Sequence, residues 1–121
     1  MKKVLITGAA SGLGRALALR FAKTGADICI ADINMGGAAE TLNMVEQAGG
    51  KGWIYELNVT VPEQWALLEQ EVKKRWGGID VVINNAGVAT GDRIEAGEWA
   101  WWDWVIDINL KGVALGCRTF T

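Results

Sequence analysis

Three glycines near the N-terminus have a spacing that could bind a phosphate group. Gly8, Gly12 and Gly14 occur in the segment TGAASGLG, between the apolar run KKVLI and the amphipathic run RALALRFAKTG. Where a strand meets a helix, one glycine permits a tight turn, a second lets backbone N–H groups approach a phosphate, and a third allows close packing. The helix start adds unpaired N–H donors. The segment therefore predicts a site for the diphosphate of a dinucleotide, with a turn that binds no ligand as the alternative.

An acidic residue ends the second apolar segment. Asp32 closes the run ADICIAD, where a carboxylate can accept hydrogen bonds from the hydroxyl groups of an adenosine ribose. A 2′-phosphate there would meet like charge, at a cost of about 4 kcal/mol for unit charges about 4 Å apart at an effective dielectric of about 20. Neither Ser11 nor Ile33 carries a positive charge to offset it. The sequence predicts NAD rather than NADP, unless Asp32 is an ordinary solvated residue.

The segments that must position these residues alternate between strand and helix patterns. Apolar runs that begin near residues 3, 27, 53 and 79 predict four strands, the first over Val4 to Thr7 and the later ones over ADICIAD, WIYELNV and IDVVINNAG. Strands separated by helices form a parallel sheet through right-handed crossovers. The alternation therefore predicts one α/β domain over residues 1–121, with a Rossmann-like, doubly wound parallel sheet of about four strands and helices on both faces.

The ends of the predicted helices carry local signals. Thr60 and Glu63 have the spacing of a capping box, with Pro62 in the first turn, and predict the start of the third helix. A last helix is predicted from about Glu98 to the C-terminus, after a loop that contains Gly91. The first two helices are predicted over Gly12–Lys23 and Met35–Ala48.

Composition excludes several classes of function. The chain has 121 residues, a net charge of −2 and 50% apolar residues, which is typical of a soluble globular domain. The acidic balance argues against nucleic-acid binding, and no apolar run approaches the roughly 18 residues of a membrane span. Histidine is absent, so His-based triads and most zinc sites are excluded and no metal is expected. Cys29 and Cys117 are expected to be reduced thiols of a cytoplasmic protein.

Five segments, in this order and spacing, resemble the short-chain dehydrogenase/reductase family. They are TGAASGLG (7–14), AD (31–32), LNVT (57–60), NNAG (84–87) and DINLKG (107–112), and together they extend over the whole chain. The resemblance implies strand order 3-2-1-4, a nicotinamide dinucleotide cofactor, and hydride transfer between an alcohol and a carbonyl group.

The resemblance also assigns roles to individual residues. Asn109 matches the family's catalytic asparagine, which kinks its helix and holds a water in a proton relay; taken alone, it would be interpreted as a solvent-facing helix residue. Asn84 is expected to tie strands together, and Asn58 stands where the family more often has Asp. The implied cofactor-binding residues are Gly8, Ser11, Gly12, Leu13 and Gly14 at the pyrophosphate turn, Asp32 and Ile33 at the adenosine ribose, Asn58 and Val59 at the adenine, and Asn85, Ala86 and Gly87 at the second ribose.

The acid–base group of the family does not occur in these 121 residues. In the family a tyrosine, whose pKa is lowered by a lysine four residues later, works beside a serine that holds the substrate oxygen. The only tyrosine here is Tyr55, and Val59 stands four residues after it. We expect the chain, which ends at Thr121, to correspond to the N-terminal half of a family member and to be inactive alone. The substrate is not predicted.

Two features favour self-association. An open fourth strand VVIN would expose free N–H and C=O groups, and the last predicted helix is rich in tryptophan. One apolar stripe on this helix is formed by Trp101, Trp104, Val105 and Ile108. Trp104 is expected in the core, whereas Trp99 and Trp102 fall off this stripe and are expected to be exposed. The sequence predicts a homodimer or larger assembly through the last helix, the fourth strand or both.

Two functions are alternatives to that of an oxidoreductase domain. One is a non-catalytic assembly with a vestigial glycine turn, and the other is a small NAD-binding regulatory module.

Overall fold

Four parallel strands form the centre of the protein. The computed structural model describes residues 1–88 and 97–121. The strands are β1 (Lys3–Thr7), β2 (Asp27–Asp32), β3 (Lys51–Glu56) and β4 (Val81–Ile83), and their order in the sheet is β3-β2-β1-β4. All three pairings are parallel. This order and the interposed helices confirm the predicted Rossmann-like α/β fold.

Helices cover both faces of the sheet. Because successive strand side chains point to opposite faces, Val4 and Ile6 pack under α1 (Gly12–Ala22) and α2 (Met35–Gln47), while Leu5 packs toward the other face. That second face is covered by α3 (Pro62–Trp76) and α5 (Gly112–Phe120). Strands buried on both faces explain the nearly continuous apolar runs KVLI and ICIA in the sequence.

The ends of β3 and β4 differ from the predicted strands. β3 begins two residues earlier than predicted and ends at Glu56, because its neighbour β2 ends at Asp32, the residue that pairs with Glu56. β4 ends at Ile83 and does not extend through NNAG. There the backbone N–H of Asn85 bonds to the Thr7 hydroxyl instead of continuing the ladder.

The capping box predicted at Thr60 and Glu63 is wrong. α3 begins at Pro62 with Val61 as its N-cap, and no side chain caps it. The Thr60 hydroxyl and N–H both donate to Oδ1 of Asn58, at 2.7 and 3.0 Å. A short polar side chain that bonds a nearby backbone group competes with helix capping, and here the Asn58 side chain accepts both hydrogen bonds that Thr60 donates.

The last helix extends without a break from Trp99 to Phe120, as predicted, but its middle has a different hydrogen-bond pattern. α4 (Trp99–Ile106) passes into a π-helical turn (Asp107–Lys111), and α5 follows. Such a turn closes i→i+5 hydrogen bonds and interrupts the regular ladder. The predicted loop at Gly91 lies outside the described residues. Within residues 1–88 and 97–121, no helix combines the length and apolar character needed to cross a membrane.

The tryptophans of α4 are arranged differently from the prediction. Trp99 is 81% exposed, as predicted, but Trp104 is 47% exposed rather than buried, and Trp102 is half-buried rather than exposed. The prediction placed Trp104 in the core, whereas α3 and α5 build the core on the second face of the sheet. An exposed aromatic surface therefore lies on α4.

Candidate functional site

The glycine turn between β1 and α1 has the geometry that the sequence predicted. Gly8 and Gly12 have φ of +67° and +56°, a region that favours glycine. A Cβ on Gly8 would lie 2.9 Å from the Cα of Ala86, whereas one on Gly12 would meet no atom within 4 Å. A Cβ on Gly14 would overlap the Gly8 backbone and approach Nδ2 of Asn85 to 2.6 Å. Gly14 thus permits close packing, while Gly12 leaves open space beside the turn.

Asp32 is held firmly at the carboxyl end of β2. Its Oδ2 accepts a hydrogen bond from the Ala10 N–H, and its Oδ1 accepts one from the Asn34 N–H, both at 3.0 Å. Asn34 in turn caps α2 by accepting from the Gly37 N–H at 3.0 Å. Each carboxylate oxygen has two lone pairs, so Asp32 can still accept further hydrogen bonds from a ligand.

A cavity of about 400 Å³ lies at the carboxyl ends of the strands. It is placed where the direction of the strand order reverses, between the turn after β1 and the segment after β4. This is the position at which open α/β sheets bind ligands. Every predicted cofactor-binding residue except Gly14 lines it. Those residues are Gly8, Ser11, Gly12, Leu13, Asp32, Ile33, Asn58, Val59, Asn85, Ala86 and Gly87.

Three lining residues were missed by the sequence reasoning. Leu57, Val88 and Ile108 complete the apolar wall of the cavity. Each is a neighbour of a predicted site residue, within or beside the segments LNVT, NNAG and DINLKG. Segments that follow parallel strands meet at one edge of the sheet, so adjacency to the predicted residues was the signal that could have found them.

The two asparagines after β4 have different roles in the structure. Asn85 ties β4 to β1: its Nδ2 donates to the carbonyls of Thr7 and Gly8 at 3.1 and 3.2 Å. The prediction that Asn84 ties the strands is wrong. Successive side chains of an extended segment point to opposite sides, and Asn84 instead points to α5, where its Nδ2 lies 3.6 Å from Sγ of Cys117.

Asn109 contributes to the site indirectly in this structure. It lies in the π-helical turn, and its side chain makes two hydrogen bonds with the backbone of Val88. Nδ2 donates to the Val88 carbonyl at 2.7 Å, and Oδ1 accepts from the Val88 N–H at 2.8 Å. Asn109 does not itself line the cavity, but it fixes Val88, which does. Its role in a proton relay stays a prediction.

Tyr55 is unsuited to acid–base chemistry at this site. It lies on β3, packs edge-on against Trp53 with ring centroids 6.2 Å apart, and does not line the cavity. Burial raises the pKa of the Tyr55 hydroxyl above its ordinary value, and Glu71 and Cys29 add to the increase. A catalytic tyrosine working near neutrality needs its pKa lowered instead.

Comparison with known proteins gives concordant matches in sequence and structure. The sequence model of the family described as short chain dehydrogenase matches residues 2–121. The chain is 37% identical over 118 residues to a 3beta-hydroxysteroid dehydrogenase of Mediterraneibacter gnavus, in an alignment that covers 97% of this chain and 43% of that protein.

Two solved structures illustrate the shared fold. A short chain dehydrogenase/reductase of Burkholderia phymatum in complex with NAD has a TM-score of 0.92 and 34% identity, covering 98% of this chain and 42% of that one. An alcohol dehydrogenase of Thermococcus sibiricus complexed with 5-hydroxy-NADP has a TM-score of 0.93 and 28% identity, covering 99% and 52%. The chain thus spans about half, or less, of the length of these relatives.

Proposed function

The chain belongs to the short-chain dehydrogenase family, and on that premise we propose that residues 1–121 form the NAD-binding domain of an oxidoreductase. The observation that carries the proposal is the cavity at the reversal of strand order, which opens beside a glycine turn and has the Asp32 carboxylate in its wall. The proposed reaction of the protein that contains this domain is hydride transfer between an alcohol and a carbonyl group.

The residues around the cavity divide among the parts of the dinucleotide. The pyrophosphate is proposed to bind at the turn of Gly8, Ser11, Gly12 and Leu13, where the first N–H groups of α1 have no side-chain cap. The remaining parts of the cofactor take the other lining residues: Asp32 and Ile33 for the adenosine ribose, Asn58 and Val59 for adenine, and Asn85, Ala86 and Gly87 for the nicotinamide ribose.

Charge supports NAD over NADP. The Asp32 carboxylate is fixed by two backbone N–H groups, so it cannot turn away from a 2′-phosphate without losing them. None of the described residues that line the cavity is basic. Because solved relatives are described with either NAD or an NADP derivative, this choice depends on the residues of the present chain.

Replacement of Asp32 tests the proposal. Asp32→Ala is expected to weaken NAD binding about 10- to 100-fold, because a hydrogen bond to a charged group contributes about 1.5–3 kcal/mol. The affinity for NADP is expected to fall less or to rise, because the like charge is removed. Calorimetric titration of both nucleotides measures the change, with Asp103→Ala on the exposed surface of α4 as the matched control. NAD binding that is the same in Asp32→Ala and wild type would refute the assignment.

The 121-residue chain by itself is proposed to bind NAD without turning over a substrate. Its one tyrosine lacks a lysine four residues later, lies outside the cavity and has a raised pKa. Assays of NAD reduction with an alcohol panel, run beside the titrations, are therefore expected to give no rate above the blank.

A second candidate function is a non-catalytic assembly, favoured by the exposed surface of α4. Trp101 and Trp104, three residues apart on the helix, are 43% and 47% exposed, and Trp99 is 81% exposed; exposed apolar surface of this kind marks interaction sites. We propose that a second copy of the chain covers it, with the outer edge of β4 as a further contact. An assembly without NAD binding would favour this function over the first.

Light scattering tests the self-association. The wild-type chain is expected to have at least the mass of a dimer at micromolar concentration, and Trp104→Glu is expected to give a monomer, because a charge would be buried without a partner. Leu67→Glu places the same charge on an exposed apolar residue of α3 and is the matched control. A monomeric wild-type chain would contradict the proposal.

A further inference from the structure

Arg15 holds the loop that carries the glycine turn, although it does not line the cavity. Its Nε donates to Oγ1 of Thr41 at 2.9 Å, and its Nη2 donates to the Ala10 carbonyl at 2.6 Å. The same Nη2 lies 3.2 Å from the Gly37 carbonyl and 3.2 Å from Oε2 of Glu40. The Glu40 side chain is 73% exposed, so this ion pair contributes little. The contacts of Arg15 with backbone and hydroxyl oxygens are therefore the main ones.

The peptide group between Ala9 and Ala10 is held at both ends. The Thr41 hydroxyl, which is fully buried, accepts from Arg15 and donates to the Ala9 carbonyl at 2.8 Å. The opposite end of this peptide, the Ala10 N–H, donates to Oδ2 of Asp32. The Ala9–Ala10 peptide group thus connects the Asp32 carboxylate to Thr41 of α2.

The next peptide group has one end held and the other end free. The Ala10 carbonyl accepts from Arg15, and in a planar trans peptide the following N–H points the opposite way. That N–H belongs to Ser11, which lines the cavity. Within the described residues, the Ser11 N–H donates to no protein acceptor. Arg15 therefore sets the direction of a free donor at the edge of the cavity.

We propose that Arg15 is a positioning residue for recognition of the adenosine ribose. Through Thr41 and Ala10 it fixes the carboxylate of Asp32 in the orientation that accepts the 2′-hydroxyl. This inference rests on the proposed function, because it presupposes that the cavity binds a dinucleotide. Arg15 does not line the cavity, yet in this proposal it helps the protein to select a cofactor whose adenosine ribose has a free 2′-hydroxyl.

The test compares NAD with its analogue that lacks the adenosine 2′-hydroxyl. The wild-type chain is expected to bind NAD about tenfold more tightly than the analogue, as one hydrogen bond to a charged group implies. In Arg15→Met the two affinities are expected to agree within about twofold, because the guanidinium no longer holds the Ala10 segment whose N–H orients Asp32. A merely structural role of Arg15 would lower both affinities by the same factor and leave their ratio unchanged.

Further variants distinguish the possible outcomes. Arg15→Lys keeps a charged donor without the planar fork and is expected to give an intermediate ratio. Arg20→Met removes an exposed arginine from the last turn of the same helix and is expected to keep the wild-type ratio. If Arg15→Met does not fold, Thr41→Val asks the same question, because it removes the hydroxyl that links Arg15 to the Ala9 carbonyl.

Failure of this inference can be told apart from failure of the proposed function. NAD binding by the wild-type chain with an unchanged ratio in Arg15→Met and Thr41→Val would overturn the inference alone. Absence of NAD binding by the wild-type chain would overturn the proposed function and this inference with it.

Discussion

Gly14→Ala is expected to lower the free energy of unfolding by about 3 kcal/mol and to abolish dinucleotide binding. The added Cβ would overlap the carbonyl group of Gly8 and would lie 2.6 Å from Nδ2 of Asn85. Backbone cannot move aside as a flexible side chain can, so α1 must shift away from the turn. The shift would break the two hydrogen bonds by which Asn85 holds Thr7 and Gly8 and would displace the N–H groups proposed to bind the pyrophosphate.

Urea denaturation and calorimetric titration with NAD measure the two effects. Gly36→Ala is the matched control, because a Cβ there meets only Oδ1 of Asn34 at an ordinary 3.6 Å within helix α2. Alanine favours a helix over glycine by about 1 kcal/mol, so this variant is expected to be slightly more stable than wild type. A Gly14→Ala chain of wild-type stability would contradict the close packing of α1 on the turn.

Trp65→Ala is expected to have a similarly large effect, a loss of about 4 kcal/mol of unfolding free energy. The Trp65 side chain is 1% exposed, and its ring packs edge-on against Phe120 with centroids 6.3 Å apart. Its Nε1 donates to the Val59 carbonyl at 2.9 Å. Truncation would leave a large cavity between α3 and α5 and would free Val59, which lines the candidate site. NAD affinity is therefore expected to fall together with stability.

Leu67→Ala separates this effect from a general sensitivity of α3. Leu67 lies two residues further along the same helix and is 56% exposed. Its truncation is expected to change the unfolding free energy by no more than about 0.5 kcal/mol. Equal destabilisation by the two substitutions, measured by urea denaturation at one protein concentration, would show that Trp65 does not connect α3 to α5 as the structure indicates.

The predictions that the structure confirms depend on signals within single segments. The alternation of apolar runs and helices defined the parallel sheet, because a strand buried on both faces must be apolar throughout. Gly8 has the positive φ that a tight turn requires. The grouping of Asn58, Asn85 and the glycine turn around one cavity came from the family resemblance, since no local pattern relates segments so far apart. Their contact with a cofactor stays a prediction.

The predictions that are wrong concern the choice between competing partners. The Thr60 hydroxyl could have capped α3, but it donates to Asn58. Asn84 and Asn85 are chemically the same, and only the direction of each side chain at the end of β4 decides that Asn85 holds β1. Trp104 is exposed because α5, rather than α4, completes the core on its face of the sheet.

The sequence by itself thus determined the α/β class, the glycine turn after the first strand and the acidic residue that ends the second strand, because helix, strand and turn preferences act over a few neighbouring residues. Tertiary structure alone decided which polar groups meet. Arg15 lies 26 positions from Thr41 along the chain, yet their hydrogen bond links α1 to α2 beside the glycine turn. A hydrogen bond depends on the distance and direction of two groups, and for groups far apart in sequence those quantities are fixed only when the helices have packed on the sheet.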